Sequence, residues 1–328
     1  MVQTTWPART KEHVDLWLHS YAMLTSDTTL IPYFTRGYRD RMVGIRRQRS
    51  VSSQLDANRQ RLLARLISNP SIATSGQFVP LYFESWEQMR QVIDRFALGT
   101  GASGNADPTT RLLFGVLNGA FPSAADREWL RLFTVSADDE GHRFYTDYWN
   151  GETRARARAV AHTDSLWQRV WRPALQRFLN NTQQGNGELY LSLPLGGEGR
   201  TIHFAKGENV VAGPVPESDA ESEHVLYVFA HEVTGSIASA AIADNTTPAE
   251  QRSGATSRYE QAAAVRAGAL LLERTLPAMV MGYMRYYLQQ AGRPSPNDPR
   301  GAFTAAFAIP DAVREAIARQ LDVVLGGI

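Results

Sequence analysis

The chain has 328 residues, 43% of them hydrophobic and 20% charged, with a formal net charge of +1. That is enough for one large domain or two ordinary ones with a substantial core, and the near balance of charge gives no global attraction to nucleic acid or an anionic membrane. There is no cysteine, so disulfides, thiolate metal sites and cysteine nucleophiles are excluded, and any transition-metal site must use His, Asp and Glu.

Lys11 and Lys206 are the only lysines. The arginine bias reads as coding bias in a GC-rich, bacterial genome. No apolar run approaches the roughly 20 residues of a membrane span, and the N-terminus lacks a signal-type apolar core. "MVQTTWPART" is also compatible with a mature terminus after export. The compartment is therefore open between exported (periplasmic or secreted) and cytoplasmic.

Residues 1–185 are expected to be mainly helical. "KEHVDLWLHSYAML" places Val14, Leu16, Trp17, Tyr21 and Leu24 at helical spacings, and "SSQLDANRQRLLARLIS" puts Leu55, Leu62, Leu63 and Leu66 on one face. "SWEQMRQVIDRFAL", "TTRLLFGVLNGAF", "SAADREWLRLF" and "DSLWQRVWRPALQRFLN" continue the pattern. The segment Arg36–Ser50 carries six arginines against one acid, Asp40. It is read as a solvated face, or as pairing with the acidic "ADDEG" at 137–141, in preference to a single-stranded nucleic-acid surface. "GTGASG" at 99–104 matches a dinucleotide-binding glycine pattern literally, but it follows a helix where the motif requires a strand, so it reads as a loop. "DDEGHRFYTDYW" lacks the acid and glycine spacing of a calcium loop.

The texture changes at residue 186. Short strands are predicted over Glu188–Leu193, Thr201–Phe204 and Asn209–Ala212, with a turn at Lys206–Asn209 joining the last two into a hairpin. Ser218 and Glu221 stand in capping-box spacing ahead of a helix running to about Asp244. Thr247, Pro248 and Glu250 restart a short turn. Three further helices begin near Ser257, Ala278 and Pro310. The expected fold is α+β and mostly helical: a helical region over 1–185, then a small sheet with helices over 186–328, the two forming either separate regions or one unit.

"VFAHEVTG" places His231 and Glu232 in the helix after the strand pair, and residue 235 is glycine. In the zinc-hydrolase pattern H-E-x-x-H, two histidines four apart share one helix face and one ion. Here the second is missing. A strand pair, the His-Glu helix and a later helix led by Glu260 nevertheless follow in order. From about Glu188 to Gln290 the chain resembles the gluzincin branch of the zincin metallopeptidases.

That resemblance implies zinc as the cofactor and a peptide or protein as the substrate. It implies His231 and Glu260 as metal ligands, Glu232 as general base, and a downstream tyrosine such as Tyr283 as oxyanion donor. A further ligand must replace the absent side chain at Gly235. Asp244 would lie ~20 Å and His224 ~10 Å from His231 along an unbroken helix, too far to share an ion. His203, on the expected edge strand, is the first candidate, and His142 is another. Ser257 and Glu260 also fit a capping box, which would give that glutamate a backbone role only. Gly235, Ala238, Ser239 and Ile242 on one helix, and Ala263, Ala264, Ala267 and Gly268 on the other, predict close helix approach. The alternative reading is a metal-free zincin-like scaffold that serves as a binding or structural protein.

Overall fold

A computed structural model describes residues 6–25, 29–99, 107–204, 208–252, 254–293 and 297–326. It is mostly helical with one small mixed sheet, as the sequence predicts. The chain divides into two compact units. One comprises Met1–Thr10, Asp27–Arg36 and Ala155–Ile328, and the other Lys11–Ser26 and Gly37–Arg154. The helices of 155–181 therefore group with the later segment, and the expected boundary at 185 falls inside that unit.

The unit around Gly37–Arg154 is all helical. Its main helices are α1 (Glu12–Leu24), α2 (Tyr38–Gln48), α3 (Arg59–Ser68), α4 (Trp86–Ala97), α5 (Pro108–Ala120), α6 (Ala124–Glu140) and α7 (Thr146–Ala155). Trp17 and Tyr21 of α1 pack edge-on against Phe133 of α6, with centroids 4.7 and 4.8 Å apart. The Trp17 indole donates to the Gly76 carbonyl, so this buried ring has its one polar atom satisfied. A π-helical turn, Gly141–Tyr145, joins α6 to α7.

A polar network is buried in this unit. His19 hydrogen bonds through Nδ1 to the Tyr38 hydroxyl and through Nε2 to Glu140. Ser53 donates to the other oxygen of Glu140, and Arg46 Nε lies 3.2 Å from the oxygen that His19 contacts. Arg46 also bridges to Asp56. The expected pairing of the arginine-rich segment with "ADDEG" is thus observed at Arg46 and Glu140. Arg41 and Arg49 rest on the rings of Tyr38 and Phe144. Residues 100–106, which hold most of "GTGASG", lie outside the described residues.

The other unit holds the sheet, in the order β1 (Ala8–Arg9), β2 (Glu188–Ser192), β4 (Asn209–Pro214), β3 (Arg200–His203). β3 pairs antiparallel with β4, with Thr201 opposite Val211, and β2 pairs parallel with β4. The hairpin expected from the sequence is present, although residues 205–207 of its turn lie outside the described set. Its helices are α8 (Ala157–Leu166), α9 (Arg172–Asn181), α10 (Ser222–Val233), α11 (Gly235–Asp244), α12 (Ala255–Thr275), α13 (Val280–Gln290), α14 (Pro299–Ala306) and α15 (Asp311–Val324). Trp6, Trp167 and Phe229 form an aromatic core, with Phe229 5.2 and 4.5 Å from the two indoles.

The helix expected to run unbroken to Asp244 is interrupted at Thr234, whose hydroxyl bonds back to the Ala230 and His231 carbonyls. Such back-bonding bends helices. The run Asp219–Asp244 is long and apolar enough by composition alone to cross a membrane, but 72% of its most apolar window is buried in the protein, as in a core helix. Its capping differs from expectation: Ser218 makes no side-chain cap bond, and Glu221 accepts from the Glu217 amide. The turn at Thr247 does form a reciprocal cap with Glu250.

Candidate metal centre

The sequence Ser222–Val233 is apolar around nearly its whole circumference, because α10 is packed on several sides: Val225, Leu226, Val228, Phe229 and Ala230 are all buried. His231 lies in its last turn and is 2% exposed. A buried imidazole needs polar partners. It finds them in two carboxylates, Glu198 and Glu232.

Glu198 comes from the loop between β2 and β3, "LPLGGEG". This loop is held by its backbone. Thr35 N donates to Pro194 O, Gly196 N to Tyr33 O, and Glu198 N to Pro32 O. From the other side, the hydroxyls of Tyr286 and Tyr287 donate to the carbonyls of Gly196 and Gly197. The next residue, Gly199, passes so close to β4 that a Cβ there would fall 2.2 Å from the Ala212 carbonyl oxygen. Only glycine fits, and its amide donates to Glu232 Oε1 at 3.0 Å.

The result is a compact donor set. His231 Nε2 is 3.0 Å from Glu198 Oε1 and 3.6 Å from Glu232 Oε1. One ligand atom from each of the three residues lies within 4.8 Å of the others. Glu198 Oε2 accepts from Gln261 Nε2 at 3.3 Å, and Gln261 is itself held by the Ile31 carbonyl at 2.9 Å. The side chains are 2%, 14% and 9% exposed for His231, Glu198 and Glu232, so the centre is almost enclosed.

Burial favours the neutral imidazole, but Glu198 and then Glu232 outweigh it and push the pKa of His231 up to about 9. Glu232 is raised above the usual carboxylate range, first by burial and then by the like charge of Glu198, with His231 opposing. His231 Nδ1 is fully enclosed with no hydrogen bond of normal geometry, although the Ala264 carbonyl is near enough to favour a proton there. Without a metal, the centre is an imidazolium between two acids.

The donor set also fits a divalent ion. Bonds of 2.0–2.2 Å in a tetrahedral site put neighbouring ligand atoms roughly 3.3 Å apart. The two separations from His231 Nε2, 3.0 and 3.6 Å, bracket that value. One imidazole with two carboxylates suits zinc and other first-row divalent ions.

The remaining expected site residues lie elsewhere. Glu260 is exposed and lines a shallow cleft with Ser239, Ile242 and Thr246. It does not join the cluster because α12 meets α10 later in its sequence: a Cβ on Gly268 would stand 3.1 Å from His231 Cα. The glutamate is thus solvent-directed, and the glutamine after it, Gln261, points to the centre. The helix begins at Ala255 after a left-handed Gly254, so Ser257 is not at its N-cap position.

His203 is exposed at the end of β3 and bonds through Nδ1 to Asn209. Tyr283 is fully buried, and its hydroxyl donates to the Val265 carbonyl at 2.8 Å, so it is committed to backbone and is not free to serve as an oxyanion donor. His224 packs at a tilt against Tyr286, Asp244 is exposed at the end of α11, and His142 is exposed in the other unit with its Nδ1 at the Asp138 carbonyl. The expected close approach of α10 and α11 to α12 is observed, with Ala238, Ala263 and Ala267 buried.

Sequence reasoning missed Glu198, Gln261 and Tyr287, whose ring stands 5.4 Å from that of His231. The one local signal was a lone acid among glycines in "GGEG". No family model matches the chain, and no curated protein or solved structure matches it.

Proposed function

We propose that this chain is a metal-dependent hydrolase, a peptidase, whose ion is held by Glu198, His231 and Glu232. The observation that carries the reading is the convergence of one buried imidazole nitrogen and two carboxylates at 3.0 and 3.6 Å. A divalent ion bound there would supply Lewis acidity toward a carbonyl and an activated water.

The protein's own groups support this role. Glu232 Oε1 is fixed by the Gly199 amide, while Oε2 has no hydrogen-bond partner among the described residues. That oxygen is the atom placed to take a proton from a water beside the ion and to return it. β3 is the outer strand of the sheet and begins two residues after Glu198. A peptide paired along it would run one strand spacing, about 4.8 Å, beyond β3.

The test is metal analysis of protein purified without chelator, together with a peptide-hydrolysis assay. One zinc per chain and chelator-sensitive cleavage are expected, with both lost in His231→Ala. Failure of the wild type to take up zinc would remove the reading.

The enclosure of the centre favours a second reading. The charge of His231 is already balanced by Glu198 and Glu232 without an ion, and Gly235 offers no second helix ligand. In that case the chain is a metal-free, zincin-like scaffold with a binding or structural role, and zinc should leave its melting temperature unchanged.

A further inference from the structure

Helices α12 to α15 enclose a separate cavity of about 250 Å³. Its wall carries three guanidinium groups, Arg266, Arg300 and Arg314, against one carboxylate, Glu273. Two of the arginines have acidic partners. Arg300 lies 3.6 Å from Glu273, and Arg314 lies 3.4 Å from both Asp311 and Glu315.

Arg266 is different. Among the described residues no carboxylate stands within ion-pair distance of it. It donates to the Thr304 hydroxyl at 3.0 Å, and its guanidinium carbon lies 5.7 Å from the centre of the Phe303 ring. It is half-buried, and burial followed by the charge of Arg314 holds its pKa below the usual arginine value. Arg266, with no carboxylate of its own at ion-pair distance, faces the charge of Arg314, and a bound anion would relieve that repulsion. Guanidinium groups are matched to planar or tetrahedral oxyanions by their fork geometry.

The lining also includes apolar groups, Leu270, Met284 and the Phe303 ring beside Arg266. A free inorganic ion would leave that surface unused. We infer that the cavity binds a small organic anion, with its oxyanion head between Arg266 and Arg314 and its apolar body against Phe303, Leu270 and Met284. The volume is slightly below the range of roughly 300–1,000 Å³ for drug-sized ligands, so the occupant has about one ring or a short chain. This inference does not depend on the metal centre.

The experiment uses the full chain and four probes in calorimetric titration: benzoate, phenyl phosphate, inorganic phosphate and benzyl alcohol. Saturable binding of benzoate or phenyl phosphate is expected, at least about tenfold tighter than inorganic phosphate or benzyl alcohol. The stronger of the two assigns the head as a carboxylate or a phosphate monoester. Arg266→Gln should weaken it by about tenfold or more while the protein stays folded, because that substitution relieves the repulsion with Arg314. Arg314→Gln provides an independent variant and should weaken binding in the same direction. Binding of neither aromatic anion, equal binding of benzyl alcohol, or unchanged affinity in both variants would overturn the assignment. Inorganic phosphate binding as tightly as phenyl phosphate would overturn the role of the apolar wall.

Discussion

His231 Nε2 and Glu198 Oε1 lie 3.0 Å apart although 33 residues separate them in the chain. The bond joins the last turn of α10 to a glycine-rich loop, and it makes a buried histidine cationic. Its consequences can be measured one at a time.

Glu198→Gln removes the nearer carboxylate and leaves Glu232 at 3.6 Å as the only acid beside the ring. Loss of one partner of a buried ion pair costs about 3 kcal/mol or more. Denaturant titration should show this loss, and zinc uptake should fall with it. Unchanged stability together with unchanged zinc content would exclude Glu198 from the centre.

Gly235 is the position where a second helix histidine is missing, and a Cβ there would meet nothing within 4 Å. Gly235→His is therefore expected to fold. The added imidazole should tighten zinc binding by about tenfold or more. Calorimetry compares the two proteins directly. Gly268→Ala is the contrasting case, because its Cβ would fall 2.3 Å from the Tyr283 hydroxyl and 3.1 Å from His231 Cα. Overpacking there should cost about 1–3 kcal/mol.

The metal-free centre sets an alkaline limit. The pKa of His231 is raised to about 9 from an ordinary 6.5, so its stabilisation is fully present below 6.5 and is lost as pH rises through about 9. Glu232, raised from its usual range, acts in the same direction at lower pH. Zinc must displace the His231 proton, so its affinity should increase over the same interval. Melting temperatures from pH 6 to about 10, with and without zinc, test both slopes. A flat metal-free profile would show that His231 is neutral.

The buried network of the other unit has the opposite sign. Burial lowers the pKa of His19, so the unfolded chain takes up a proton first as pH falls below 6.5. For Glu140, burial alone would raise the pKa, but the bonds from His19 and Ser53 and the charge of Arg46 together depress it. Its stabilisation is present above about 4.5 and is lost as pH falls through the folded value. Hydrogen exchange should show the amides of α1 and α6 losing protection on acidification. Glu140→Ala, which removes the shared acceptor of His19 and Ser53 and leaves Arg46 with Asp56 alone, should cost about 3 kcal/mol or more.

The sequence by itself determined the local elements and the frame of the centre. Apolar periodicity marked most of the helices, the three main strands and the small-residue contacts near Gly268, because each depends on neighbours a few residues away. It also picked out His231 and Glu232, which share one helical turn. Only the tertiary structure decided which groups meet them. Glu260 failed by position, since α12 reaches His231 near Ala264 and Gly268, leaving the glutamate in solvent and Gln261 facing inward. Glu198 arrives because backbone bonds to residues 32–35 and the hydroxyls of Tyr286 and Tyr287 pin its loop above α10. Those partners are scattered along the chain, and no local spacing records them.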